Sequence, residues 1–231
     1  MLTKKNKSDI SFGVKPYLAV LAMWLTQDIV MRFFFSEKIV IGQELLSSIK
    51  GSVILAPTHR SRWDGLILTF AMGRRVTNKD CRFMVTTPEM LGIQGWFLKR
   101  LGCFSINQES PTMLSLRYAI NLIISENHLV IFPEGRINKN SKKLPYKQGL
   151  FRLSKLALKK GKPISIIPIG IAYSRINPGF RDKFALCIEK PINFEDYSEM
   201  SINEFNDDLC KRIHNAELKA LNLMGREGTI S

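Results

Sequence analysis

Six consecutive residues, His59 to Asp64 (His-Arg-Ser-Arg-Trp-Asp), bring an imidazole and a carboxylate close together just after an apolar run, Gly51 to Pro57. A histidine titrating near neutrality can take a proton from a hydroxyl, and a neighbouring carboxylate can fix its tautomer and stabilise the imidazolium that forms. The layout therefore suggests a general base at the end of a buried strand, with no metal required. A second reading stands beside it: Ser61 followed by Asp64 is a capping-box-like start for a helix over Arg62 to Met72, with Asp64 favouring the positive end of that helix.

A second cluster, Phe132 to Arg136 (Phe-Pro-Glu-Gly-Arg), follows the apolar run His128 to Ile131 about seventy residues later. A glutamate, a glycine and an arginine at a strand end can place charge on a phosphorylated substrate, because guanidinium matches phosphate geometry and glycine permits close approach. Taken alone, the same string reads as a turn with a solvated Glu134 and Arg136.

In this order and at this spacing the two strings resemble the glycerolipid acyltransferase family that includes 1-acyl-glycerol-3-phosphate acyltransferases. The family's His-x-x-x-x-Asp block matches His59 and Asp64, and its Phe-Pro-Glu-Gly block matches Phe132 to Gly135. The resemblance covers roughly Val40 to Tyr173 and takes in Lys147 and Gly149, similar to a Lys-x-Gly before a helix, and a strand around Pro168. Two positions depart from it: Arg136 follows Gly135 with no intervening threonine, and Asn107 and Gln108 stand where a Gly-x-x-Phe-Ile-Asp-Arg block carries acid and arginine.

The resemblance implies His59 as base and Asp64 as its orienting partner. Glu134, Gly135 and Arg136 would hold the acceptor, with Arg136 on its phosphate, and Ser61, Arg62 and Lys147 would make further substrate contacts. It also implies an acyl-CoA or acyl-carrier-protein donor, a lysophospholipid acceptor and no cofactor. Glycerol 3-phosphate or another lysolipid as acceptor, or a non-catalytic membrane-surface scaffold, are the alternatives.

The 231 residues and 45% apolar content suit one sizeable domain. A formal charge of +14 implies attraction to something acidic, an anionic membrane surface, an acyl-CoA, an acidic carrier protein or nucleic acid, and absent any zinc-finger or RNA-recognition spacing nucleic acid is the weaker reading. Cys81, Cys103, Cys187 and Cys210 are widely spaced and read as reduced and mostly buried. With only His59, His128 and His214 available, a histidine metal site has little material.

To position these groups, the pattern predicts strands at Lys38–Ile41, Ser52–Ala56, Arg82–Thr86, Cys103–Ile106, Leu129–Phe132, Ile164–Tyr173 and Phe184–Glu189. Helices are predicted at Arg62–Met72, Pro111–Glu126 (starting at Ser110), Leu150–Lys160 and Ile202–Leu223, the last opened by the capping box Ser201–Glu204, and helical turns from Pro88 to Leu101. Such alternation argues an α/β domain with a largely parallel central sheet flanked by helices, whose ligands sit beyond the carboxyl ends of the strands. Ahead of it, Pro16 opens an amphipathic helical extension to about Phe35, whose uninterrupted apolar part, Tyr17 to Leu25, is shorter than the roughly 20 residues a span needs. The expected division is residues 1–36, a helix that either packs on the domain or, given the lipid substrate the resemblance implies, lies on the cytoplasmic face of a membrane, peripheral or monotopic, and residues 37–231, the catalytic domain.

Overall fold

The computed structural model describes residues 16–49, 51–107, 112–140 and 144–227. Its strands are β1 (Phe35–Ile41), β2 (Ser52–Pro57), β3 (Cys81–Thr86), β4 (Phe104–Ile106), β5 (His128–Val130), β6 (Ile164–Tyr173), β7 (Asp182–Ile188) and β8 (Ile192–Asn193). They form one sheet in the order β1-β7-β6-β2-β5-β3-β4, with β8 also on β6. Every pair is parallel except β6 with β7 and β6 with β8.

The helices are α1 (Pro16–Met23), α2 (Met31–Phe34), α3 (Asp64–Met72), α4 (Arg74–Thr77), α5 (Gly92–Arg100), α6 (Met113–Ile124), α7 (Gly149–Leu158) and α8 (Ile202–Leu223). The short α4, a 3-10 turn at Gln43–Ser48, β8 and another 3-10 turn at Phe194–Tyr197 were not anticipated. All are too short to show a period. Helix α6 starts at Met113, where the Thr112 hydroxyl accepts the Ser115 N–H at 3.2 Å; the expected start at Ser110 and Pro111 lies outside the described residues. The Ser201–Glu204 capping box of α8 is formed in both directions.

The alternation of β2 builds the core on both sides of the sheet, since successive side chains leave a strand on opposite faces. Ile54 and Ala56 pack with α6, α7 and α8, whereas Val53 and Leu55 pack with α3, Met31 and Phe35. With both faces covered, β2 is wholly buried and reads as a continuous apolar run.

Pro168 sits inside β6, a position that should cost a ladder hydrogen bond. Here β6 pairs with β8 up to Ile166 and with β7 from Ile169, so the missing N–H falls where the strand changes partner. Two residues on, a Cβ at Gly170 would lie 2.1 Å from the Glu217 nitrogen and 2.2 Å from the Ala216 carbonyl carbon. Glycine is what lets α8 rest directly on the β6 backbone.

The N-terminal helix changes pitch: α1 runs into a π-helical stretch (Trp24–Val30) and then α2. Apolar Tyr17, Val20, Leu21, Trp24 and Leu25 are exposed, while Gln27 is buried with its amide nitrogen 3.3 Å from the Thr69 carbonyl oxygen. Leu21 and Leu25 are exposed and Ala22 between them is buried, so the outward face of this helix carries apolar side chains. Met31 and Phe35 are fully buried in the core beside α3, and β1 begins at Phe35, so a boundary at residue 36 falls inside a strand. No helix among the described residues is long and apolar enough to cross a membrane.

Candidate active site

Parallel β2, β5 and β6 lie side by side, so the segments after β2 and β5 and the last residue of β6 meet at one edge. Beyond β2, the His59 Nδ1 is 2.9 Å from Asp64 Oδ2. That oxygen also accepts the backbone N–H groups of Arg60 (2.6 Å) and Ser61 (2.8 Å), and Oδ1 accepts the Tyr173 hydroxyl at 2.5 Å. Asp64 is fully buried, and four donors converge on its carboxylate. Because an ionised carboxylate only accepts, this fixes the proton on Nδ1 and leaves Nε2 with its lone pair for a substrate proton. Burial, and then the charge of Asp64 and the hydrogen bond to it, push the Tyr173 phenol well above its ordinary range. It stays a donor.

Asp64 thus makes the contacts that both readings of the sequence require. Its side chain braces the His59 ring, and it also gathers the loop amides at the start of α3, where the N-cap residue, Trp63, supplies no side-chain cap of its own. The Phe132 ring stacks on the imidazole at 4.0 Å and 22°.

After β5, Gly135 adopts φ +69°, a conformation glycine takes freely, and the loop is tied back by Gly135 N–H to Phe132 O at 3.0 Å and Lys147 N–H to Pro133 O at 2.8 Å. Glu134, expected to hold the acceptor, uses its carboxylate inside the protein. Oε1 accepts the His59 backbone N–H at 3.1 Å, and both oxygens accept from Arg60 Nη1 at 2.7 and 2.8 Å. Arg60 is itself buried, with Nε and Nη2 on the Glu217 carboxylate at 2.5 and 2.8 Å. Burial alone would lower its pKa, but the hydrogen bonds to Glu217 and the charges of Glu217 and Glu134 outweigh that and raise it.

The imidazole opens on a cleft of about 1000 Å³. Arg62, Gly135, Arg136 and Lys147 are on its wall with His59, together with Arg152, which the motifs do not include. Arg62, Arg136, Lys147 and Arg152 are all exposed there. Apolar Leu66, Phe83, Ile106, Leu116, Ile131 and Leu153 line the interior, and Ala22, Met23 and Thr26 bring the N-terminal helix into the same wall. Ser61 is buried, its hydroxyl accepting the Trp63 N–H at 3.3 Å. Asn107 is exposed at the end of β4, and Gln108 lies outside the described residues.

Sequence reasoning passed over Arg60, Tyr173 and Glu217. Arg60 lay within the first motif and Tyr173 at a predicted strand end, but Glu217 carries no local signal on a helix full of charged residues.

Residues 38–172 match the Acyltransferase family. The 1-acyl-sn-glycerol-3-phosphate acyltransferase of Streptococcus pneumoniae is 26% identical over 154 residues, covering 64% of this chain and 53% of that protein. The mitochondrial glycerol-3-phosphate acyltransferase 1 of Sus scrofa is 26% identical over 196 residues, or 76% of this chain and 23% of that one. The chain therefore spans about half the length of the pneumococcal relative and less of the porcine one. In fold it is similar to the 1-acyl-sn-glycerophosphate acyltransferase PlsC of Thermotoga maritima, with a TM-score of 0.61 at 16% identity over 94% of this chain and 84% of that one. The matched stretch holds His59, Asp64, Glu134 and Arg136 together with the strands that position them, and on that match the chain belongs to the acyltransferase family.

Proposed function

We propose that the protein transfers a fatty acyl group from the thioester of acyl-CoA or acyl-carrier protein to the free hydroxyl of 1-acyl-glycerol 3-phosphate, giving phosphatidic acid for phospholipid synthesis. The observation that carries this reading is a His59 held through Nδ1 by Asp64 on the wall of a long apolar cleft edged by exposed arginines and a lysine. His59 Nε2 takes the hydroxyl proton as the oxygen attacks the thioester carbon. The new C–O bond forms, the C–S bond breaks, and the departing thiolate receives the proton from the imidazolium. No covalent enzyme intermediate is needed. Arg136 faces the acceptor phosphate, with Arg62, Lys147 and Arg152 adding positive charge for the phosphates of either substrate.

Glycerol 3-phosphate is the second reading for the acceptor, because the porcine relative named above is a glycerol-3-phosphate acyltransferase. Access from a membrane surface fits both. The N-terminal helix exposes Tyr17, Val20, Leu21, Trp24 and Leu25, while Ala22, Met23 and Thr26 of the same helix border the cleft. A lipid lying at an anionic interface would then be next to the opening.

The test crosses labelled acyl-CoA and acyl-carrier protein with 1-acyl-glycerol 3-phosphate, glycerol 3-phosphate and lysophosphatidylcholine, in wild type and His59→Ala. Transfer to the first acceptor that vanishes in the variant is the expected result. Preferred transfer to glycerol 3-phosphate moves the assignment to the second reading, and transfer that survives His59→Ala ends the mechanism.

A further inference from the structure

Behind the imidazole, on the side away from the cleft, a chain of charges runs to the last helix. Arg60 does not share the cleft wall with His59, and every guanidinium nitrogen is already engaged: Nε and Nη2 by Glu217, Nη1 by Glu134. It is badly placed to bind a substrate phosphate. What it touches instead is the peptide of the base. Glu134 Oε1 accepts the His59 N–H, Arg60 Nη1 lies 3.3 Å from the His59 carbonyl oxygen, and the Asn138 N–H donates to that oxygen at 2.7 Å. Both peptide groups flanking the His59 α-carbon are therefore held, independently of the bond from Asp64 to the ring.

The far end of this chain is rigid. Helix α8 is anchored by buried Phe205, Leu209, Ile213, Ala216 and Ala220, and at Glu217 its backbone lies directly on Gly170 of β6.

We propose that Glu217 is a positioning residue for acyl transfer: through Arg60 and Glu134 it sets the His59 peptide, and with it the direction of the imidazole into the cleft. The proposal rests on the acyl-transfer reading above and extends the working site beyond residues 38–172 to the last helix. A guanidinium between two carboxylates has one geometry satisfying both. Without Glu217, Arg60 keeps Glu134 and the His59 carbonyl oxygen, both of which can move with it, so the group and the peptide it holds lose their fixed point.

Glu217→Gln in the full chain keeps the side-chain shape and removes the charge. Misplacement of a reacting group by about 1 Å can cost about a hundredfold, so kcat should fall about ten- to hundredfold while both KM values stay within about threefold. The His59 backbone amide should exchange with solvent about tenfold faster, since its acceptor is no longer held. The triple variant Arg60→Met/Glu134→Gln/Glu217→Leu separates support from stability, because it removes every charge of the buried cluster together, and such a cluster can often be replaced by neutral side chains without loss of folding. It should melt near wild type yet remain slow.

Wild-type kcat and wild-type His59 exchange in Glu217→Gln, or full kcat in the triple variant, would overturn the proposal. Should the wild type transfer no acyl group in any donor and acceptor combination, the acyl-transfer reading falls by itself, and His59 exchange still decides whether Glu217 fixes the peptide.

Discussion

At the scale of single residues, the Asp64 carboxylate touches both the imidazole of the proposed base and the backbone that starts α3. Its oxygens accept from His59, from two loop amides and from Tyr173, so Asp64→Asn places an amide group among donors that need an acceptor. Stability should fall by about 1 to 3 kcal/mol, more than the roughly 1 kcal/mol of a simple cap, because buried donors are left unpaired. Turnover should fall by orders of magnitude as the imidazole loses its tautomer. Urea unfolding and steady-state kinetics on one preparation check both; normal turnover with reduced stability would leave Asp64 only its folding role. Arg136 is exposed on the cleft wall, so Arg136→Ala should leave stability unchanged and weaken acceptor binding by one to two decades, as losing a charge-assisted contact worth about 1.5 to 3 kcal/mol would do. A rise in the donor's KM instead would put Arg136 on the phosphates of coenzyme A. The pair His59 and Asp64 was legible in the sequence because both fall within six residues. Glu217 was not, because Arg60 meets it across 157 positions and no period or motif links them.

At the scale of elements, the central strands and long helices were legible because each carries an unbroken apolar run or a strong period, with capping at Ser201 to confirm the last helix. What escaped was set by tertiary contact. The N-terminal helix turns apolar Tyr17, Val20, Leu21, Trp24 and Leu25 outward and, within its π-helical stretch Trp24–Val30, sets Gln27 against Thr69. The direction of β7 and β8 depends on β6 changing partner across Pro168, a matter of the sheet and not of any one strand. Two tests belong here. Gly170→Ala inserts a methyl where the Glu217 and Ala216 backbone already lies, so α8 must lift from β6. Melting should reveal a loss of about 1 to 3 kcal/mol, and turnover should fall further than the melting curve alone explains, because Glu217 moves with the helix. Removal of Met1 to Met23 leaves Met31 and Phe35 in the core and should release the protein from anionic vesicles in a sedimentation assay. Equal sedimentation of the shortened and full chains would place the membrane contact elsewhere.

At the scale of the whole molecule, the charge of +14 should make vesicle binding weaken as salt rises without vanishing, since the apolar contribution of the helix is unscreened. Acidity acts differently. Burial, opposed by a hydrogen bond to the Met72 carbonyl, lowers His128 from 6.5 to about 4. The unfolded chain therefore takes up this proton at higher pH than the folded one does. The contribution is complete above pH 6.5 and is lost as pH falls toward 4. It is worth up to about 3 kcal/mol, and His128→Asn should flatten that part of the urea-stability profile; an unaltered profile would assign the acid sensitivity to other groups. Sequence distance has a consequence of its own. Strand β1 finds its edge partner only in β7, and Arg60 finds Glu217 only 157 residues later. At synthesis rates of about 5 to 20 residues per second, that last contact comes roughly 8 to 30 s after Arg60 is made. During that interval the N-terminal helix is already made while the loop bearing His59 still lacks its outer brace. If that helix is what meets a membrane, the contact precedes competence for catalysis.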